Sequence, residues 1–215
     1  MSSHHIVRDE QEPALLIDDP TALDIESVDQ LLEWSPTVLV TQNALEEVLH
    51  WGIKIDIVVM NLPDIESWKE RLKPQSPVSV LGFENADLLA SGIVYLLDEK
   101  YPAVNIMADI YQSNVLDIVK SEAKYIHASV FHQSHKWVLV HTAKYEKWVE
   151  SGHVFGLHPI VKDTFIKTDG FFENKKDEML DLSMEFVAET TGKISIQTNQ
   201  KPIWLVEQVK TDIYR

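Results

Sequence analysis

Two rhythms of hydrophobic and polar residues divide this chain. In the first half, short runs of Val, Ile and Leu at 13–17, 37–41, 55–60, 78–83 and 104–108 are nearly continuous. Runs of that kind mark parallel strands covered on both faces. Between them lie the stretches 25–34, 44–51, 66–72 and 87–97, whose apolar residues recur at helical spacing. In the second stretch Leu45, Val48, Leu49 and Trp51 share one face, and Glu46 and Glu47 take the other. Asn43 is placed to cap that helix and Gly52 to end it. Repeated strand–helix–strand units of this length predict an open α/β domain with a parallel sheet and right-handed crossovers.

From about residue 125 the period becomes two. Alternating segments at 125–132, 136–141, 154–160, 164–167, 193–197 and 203–208 are separated by turn signals such as Gln133-Ser134, Ser151-Gly152, Thr168-Asp169-Gly170 and Thr191-Gly192. Closely spaced short strands predict a small all-β sandwich. The expected organisation is therefore an α/β domain over 1–122 followed by a β-sandwich over 123–215.

Composition narrows the function classes. Hydrophobic residues are 45% and charged residues 25% of the 215, which is ordinary globular usage. No apolar run approaches the ~18–20 residues that cross a bilayer. The polar, acidic start lacks the apolar core of a secretory signal, and there are no cysteines. Together these predict a cytoplasmic protein without disulfides or thiolate metal sites. The formal net charge is −15. Over most of its surface such a chain repels phosphate backbones and anionic lipid, so neither nucleic acid nor a membrane is an expected partner. A nucleotide would need local basic groups, backbone N–H donors or a bridging divalent cation.

Familiar motifs are missing. With seven glycines in all, the chain has no G-x-G-x-x-G and no G-x-x-x-x-G-K-[ST]. His127, His132, His135 and His141 cluster in sequence, but 127 and 132 are an odd number apart and face opposite sides of a regular strand. They read as ordinary histidines rather than a metal site, and His4-His5 reads likewise. The informative places are the carboxyl ends of the first-half strands, where open α/β sheets bind ligands. These carry Thr41-Gln42-Asn43, Asn61-Leu62-Pro63-Asp64, Glu84-Asn85-Ala86-Asp87 and Ala108-Asp109. Asn43, Asp64 and Asp87 each precede a helix, so helix capping competes with any ligand role.

ALEEVLHWGIKID at 44–56, HHIVRDEQEPALLI near the start and GKISIQTNQKPIWLVE at 192–207, together with the order of elements, resemble the thiamin pyrophosphokinase family. The resemblance implies an α/β domain followed by a β-sandwich, a homodimer, and transfer of a diphosphate from ATP to thiamin with Mg²⁺. Such chemistry needs carboxylates to hold magnesium on the phosphates and donors for the developing charge. Carried onto this chain, the family's first Asp-Gly falls on Gln42 and Asn43. Its acidic loop falls on Asn61 and Pro63, with Asp64 one place later. After the fourth strand its Asp, Lys and Thr fall on Gly82, Asn85 and Ala86, and Asp87 alone is kept. Asp109 and Asn114 match a later Asp and Asn, and the Ser-Asn pair of the thiamin pocket is replaced by Glu185-Phe186.

The resemblance thus implies a member that has lost most of its catalytic acids and keeps at most binding of thiamin, a related small molecule or a partner. Gln42, Asn43, Asn61, Asn85 and Asn114 are the candidate nucleotide or thiamin contacts. A second reading is an active ATP- and Mg²⁺-dependent enzyme, with Asp64, Asp87 and Asp109 as displaced catalytic acids and Asp64, Asp87 and Glu84 on the metal. A third is a structural or regulatory dimeric protein that uses tryptophans such as Trp51, Trp137, Trp148 and Trp204 as interface anchors.

Overall fold

A computed structural model describes residues 12–112 and 114–209. His4, His5 and most of the opening phrase lie outside the described residues. By its contacts the chain divides into two units, at Ala128 and Ser129.

The first unit carries a five-stranded parallel sheet. Strands β1 (Ala14–Ile17), β2 (Val38–Thr41), β3 (Ile57–Asn61), β4 (Ser79–Phe83) and β5 (Ala103–Met107) stand in the order β5-β1-β2-β3-β4. Every residue of β1 and β2 is buried, which is why these strands read as unbroken apolar runs. Helices α1 (Ile25–Leu32), α2 (Gln42–Trp51), α3 (Ile65–Leu72), α4 (Leu88–Asp98) and α5 (Val115–Glu122) follow the successive strands. Gly52 ends α2 at φ 72°, a backbone that glycine adopts without a Cβ penalty.

The structure departs from the sequence reading at three places. Asn43 does not cap α2: the helix starts at Gln42, its N-cap residue is Thr41, and no side chain caps it. Helix α5 was not read from the sequence. The unit also runs past Glu122. The 3₁₀ turn Ala123–Tyr125 packs on α4 and α5, Ile126 is buried, and the His127 N–H donates to the Pro102 carbonyl at 3.0 Å.

In the second unit, β6 (His127–His132), which begins at the end of the first, and β7 (His135–Val140) pair antiparallel. With β9 (Val154–Pro159), β12 (Met184–Val187) and β14 (Ile203–Gln208) they form the order β12-β9-β14-β7-β6. The other sheet runs β11-β10-β13-β8, from β11 (Glu178–Met179), β10 (Phe165–Asp169), β13 (Gly192–Thr198) and β8 (Lys144–Val149). Phe155, Leu157, Phe186 and Leu205 of one sheet meet Val149, Ile166, Ile194 and Ile196 of the other around Phe171. This is the expected β-sandwich, with β8, β11 and β12 added to the strands read from sequence. β8 escaped because its inward positions are Tyr145, Lys147 and Val149, so a charge sits where the alternation demands an apolar residue. His127 is exposed and His132 is 7% exposed, as their odd spacing requires.

Candidate functional site

Sheet order locates the site before any side chain is considered. The chain runs outward from β1 through β2 and β3 to β4, then returns to the other side of β1 as β5. The reversal lies between β1 and β5, and ligands of open α/β sheets settle at the carboxyl ends beside such a reversal. A cleft of about 260 Å³ lies there. It is lined by Asp18 after β1, Asn43 on α2, Asp87 before α4 with Leu88 and Leu89, and Gln112, Asn114, Val115 and Ile118 after β5.

Asp18 anchors the cleft, and no sequence signal pointed to it. The N–H groups of Asp18 and Asp19 both donate to the Met107 carbonyl, at 2.9 and 3.0 Å, which fastens the end of β1 to the end of β5. The Asp18 Oδ1 accepts from the Thr41 hydroxyl at 2.7 Å and from the Asn43 amide at 3.2 Å. Burial pushes the Asp18 carboxyl above the usual carboxylate range; those two hydrogen bonds oppose the rise, and the neighbouring charges of Asp87 and Asp19 add to it. The cue available in the sequence was the Asp18-Asp19 pair directly after a buried strand.

Asp87 performs its capping role. Its side chain accepts from the Ala90 N–H at 2.9 Å at the start of α4, and its residue also lines the cleft. Asn114 leads into α5 at φ 116° and makes no side-chain cap bond. Of the expected candidates, the structure therefore gathers Asn43, Asp87 and Asn114, and adds Asp18 and Gln112. Asp18, Asp87, three amides and four aliphatic residues line the cleft; no Lys, Arg or His is among these described residues.

The other candidates are placed elsewhere. Gln42 spans the ends of β2 and β3: its Oε1 accepts from the Asn61 N–H at 2.9 Å and its Nε2 donates to the Asp64 Oδ2 at 2.7 Å. Asp64 precedes α3 without capping it by its side chain, contrary to expectation, because its carboxylate is turned to Gln42. Asp109 Oδ1 accepts from the Tyr111 N–H at 2.9 Å in a tight turn. Glu84 and Asn85 are exposed, Asn85 at φ 49°, and neither lines the cleft. Gly82 is exposed on β4, and a Cβ there would stand 2.5 Å from the Ile65 Cδ1 and 2.7 Å from the Leu62 Cδ1, the flexible ends of both side chains. Among the described residues, no group of three or more His, Asp or Glu is arranged to hold a metal ion.

In the second unit, Glu185 and Phe186 point apart. Phe186 is in the sandwich core, whereas Glu185 is exposed opposite Gly156. On the outward side beside Gly156, the His158 ring lies 5.0 Å from Trp137, and its Nδ1 shares a 2.6 Å hydrogen bond with the Ser183 hydroxyl. Burial holds the His158 imidazole below its ordinary value.

No protein-family model matches this sequence, and no curated protein matches it. Solved structures do. The thiamine pyrophosphokinase of Bacillus subtilis matches with a TM-score of 0.71 at 11% identity, over 93% of this chain and 100% of that one. That of Geobacillus thermodenitrificans gives 0.74 at 7% identity over 93% and 98%. The yeast enzyme gives 0.72 at 12% identity over 95% and 88%. At such identities the likeness speaks for the fold: an α/β sheet region followed by an antiparallel β region, as in the thiamin pyrophosphokinases.

Proposed function

We propose that this chain is a small-molecule-binding protein on a thiamin pyrophosphokinase-like fold, without the diphosphate-transfer activity. One observation carries the reading. Where the resemblance places the first catalytic Asp, Gln42 stands instead, and both ends of its amide are spent on Asn61 and Asp64. The acid that was to compensate, Asp64, is thereby held as a structural acceptor.

Magnesium–ATP fits these residues poorly. Mg²⁺ is held by one or two carboxylates together with substrate phosphates in near-octahedral order. The cleft offers two carboxylates, Asp18 and Asp87, and among the described residues no third acid joins them in a metal-holding group. No basic side chain among the described lining would balance a triphosphate. An added polyanion would face two carboxylates in a chain of net charge −15.

The test is direct. Full-length protein is incubated with thiamin, ATP and Mg²⁺, and AMP is measured against a catalytically competent thiamin pyrophosphokinase. No release above the protein-free rate is expected. Turnover that is lost in Asp87→Asn would overturn the reading and restore an enzyme with displaced acids.

A further inference from the structure

The outer face of the β12-β9-β14-β7-β6 sheet carries a second cluster, apart from the cleft. Phe155, Leu157 and Phe186 turn to the sandwich interior. Their neighbours Gly156, His158 and Glu185 therefore face outward. Ser183, exposed just before β12, shares its 2.6 Å hydrogen bond with the His158 Nδ1. The Trp137 ring lies 5.0 Å from the imidazole, tilted by 37°, and Trp204 meets Trp137 edge-on at 6.5 Å. A Cβ at 156 would stand 3.2 Å from the His158 Nε2, so the glycine makes room for the imidazole. The sheet thus holds a histidine ring in one place with an exposed hydroxyl on one of its nitrogens.

A serine hydroxyl is a weak nucleophile until a neighbouring base takes its proton. Burial holds the His158 imidazole below its ordinary value, so the uncharged ring meets Ser183 at neutral pH. With its proton on Nε2, that ring accepts the Ser183 O–H through Nδ1. Nε2 lies over Gly156, whose partner on β12 is Glu185. Glu185 is exposed on the same face and diagonal to His158, a spacing that long side chains span. Its carboxylate is the acceptor suited to an Nε2 proton. The neighbours of His158 on β14 and β7, Trp204 and Trp137, carry no charge. The Trp137 Nε1 is buried, with no hydrogen-bond partner among the described residues. Such a donor costs free energy that an arriving oxygen can recover.

We propose that Ser183 and His158 form a nucleophile–base pair that hydrolyses small carboxylic esters on this face, with Glu185 positioning the imidazole. The Ser183 Oγ bonds to the ester carbonyl carbon while the His158 Nδ1 takes the hydroxyl proton. The bond from that carbon to the alcohol oxygen then breaks, and the alcohol leaves with the proton. Water, deprotonated by the same nitrogen, releases the acid from the acyl-serine. One ester and one water are consumed, and one acid and one alcohol are formed. The exposure of Ser183 and Glu185 lets a small acyl group approach without any movement of the sandwich core.

Two readouts on the full chain test this. One is labelling by a fluorophosphonate, which loses fluoride as its phosphorus bonds to the serine oxygen. The other is release of p-nitrophenolate from p-nitrophenyl acetate. Peptide mass spectrometry of the unaltered chain should find a single adduct, at Ser183. Ser183→Ala should abolish the label, and His158→Gln should lower label and release at least about tenfold, a modest part of what a general base supplies. Ser134→Ala should change neither, although the Ser134 Oγ lies 3.4 Å from the His135 Nδ1. The rate should rise with pH as the imidazole loses its proton, with a midpoint below the ordinary value of about 6.5. Glu185→Gln should lower kcat and move that midpoint lower still, because a carboxylate favours the imidazolium. Adducts at several residues or at none, release that survives Ser183→Ala, or full labelling of folded His158→Gln would overturn the inference, and an unmoved midpoint would overturn the role of Glu185. Circular dichroism checks that each variant is folded. AMP release is read separately and bears only on diphosphate transfer.

Discussion

Asp18 in the first unit and Glu207 in the second are both acids withdrawn from water, and the fold treats them differently. Glu207 is 5% exposed on β14, directed to the sandwich interior, and its Oε2 accepts from Lys147 of the opposite sheet and from His153 at 3.3 Å. Lys136 stands opposite it in register on β7, and burial pulls that ammonium below its ordinary range while the nearby carboxylate resists. Tyr145, on the same inward side of β8, is pushed up by burial and by the charge of Glu207. Asp18, by contrast, has only neutral donors, and Asp19 and Asp87 add like charge. A carboxylate answered by the protein's own cations serves the fold. One left with neutral donors at the edge of a cleft is available to a ligand.

The comparison breaks first at Lys147. Lys147→Met removes the ammonium while Glu207 stays buried, and urea unfolding should show a loss at the low end of the ~3–5 kcal/mol typical of a broken buried pair. His153 remains as a second donor and Lys147 itself is 36% exposed, which is why the low end applies. Adding Glu207→Leu should return most of the stability, because the orphaned charge goes with it. If Lys147→Met is neutral, the pairing of Glu207 is not what distinguishes it from Asp18.

A smaller effect is expected at Gln42. Gln42→Leu leaves the Asn61 N–H and the Asp64 carboxylate without their amide, and chemical denaturation should show a cost of about 1–3 kcal/mol.

The smallest effect has the opposite sign. Asp18 has a raised carboxyl in the fold, so the folded state holds its proton to higher pH than the unfolded chain. That contribution to stability is fully present below the unfolded value and is lost as pH rises through the folded one. Asp18→Asn keeps an oxygen for Thr41 and Asn43 but removes the charge. Thermal unfolding at neutral pH should therefore show a Tm raised by at most about 2–4 °C, a scale set by the size of the chain. Below the unfolded carboxylate range of about 3.9 the gain should vanish. A lower Tm at neutral pH would show that the hydrogen bonds of the ionised form outweigh its burial.

Much of the fold was legible because each half repeats one pattern. Five apolar runs gave the five parallel strands to within two residues at each end. The alternation from 125 onward gave six of the strands of the second unit. What escaped were elements whose inward positions are polar or whose length is short: β8 with Lys147 facing inward, and β11 with two residues. At the site, the polar strand ends were legible as a rim, and Asn43, Asp87 and Asn114 do line the cleft. Their division of labour was not. Gln42, Asn61 and Asp64 look like ligand candidates in one dimension, yet they satisfy one another in three.

The chain's own order of residues was enough to determine two units and their strand types. Periodicity and residue identity are local properties, and they survive at an identity near 10%. Only the tertiary structure decided which polar groups are spent and which are left over. It brought Asp18 and Asp87 to one cleft, and it gave Glu207 to Lys147 across the sandwich. A carboxylate's role depends on burial and on the charge of its neighbours, and those neighbours are brought in by the sheets from far along the chain.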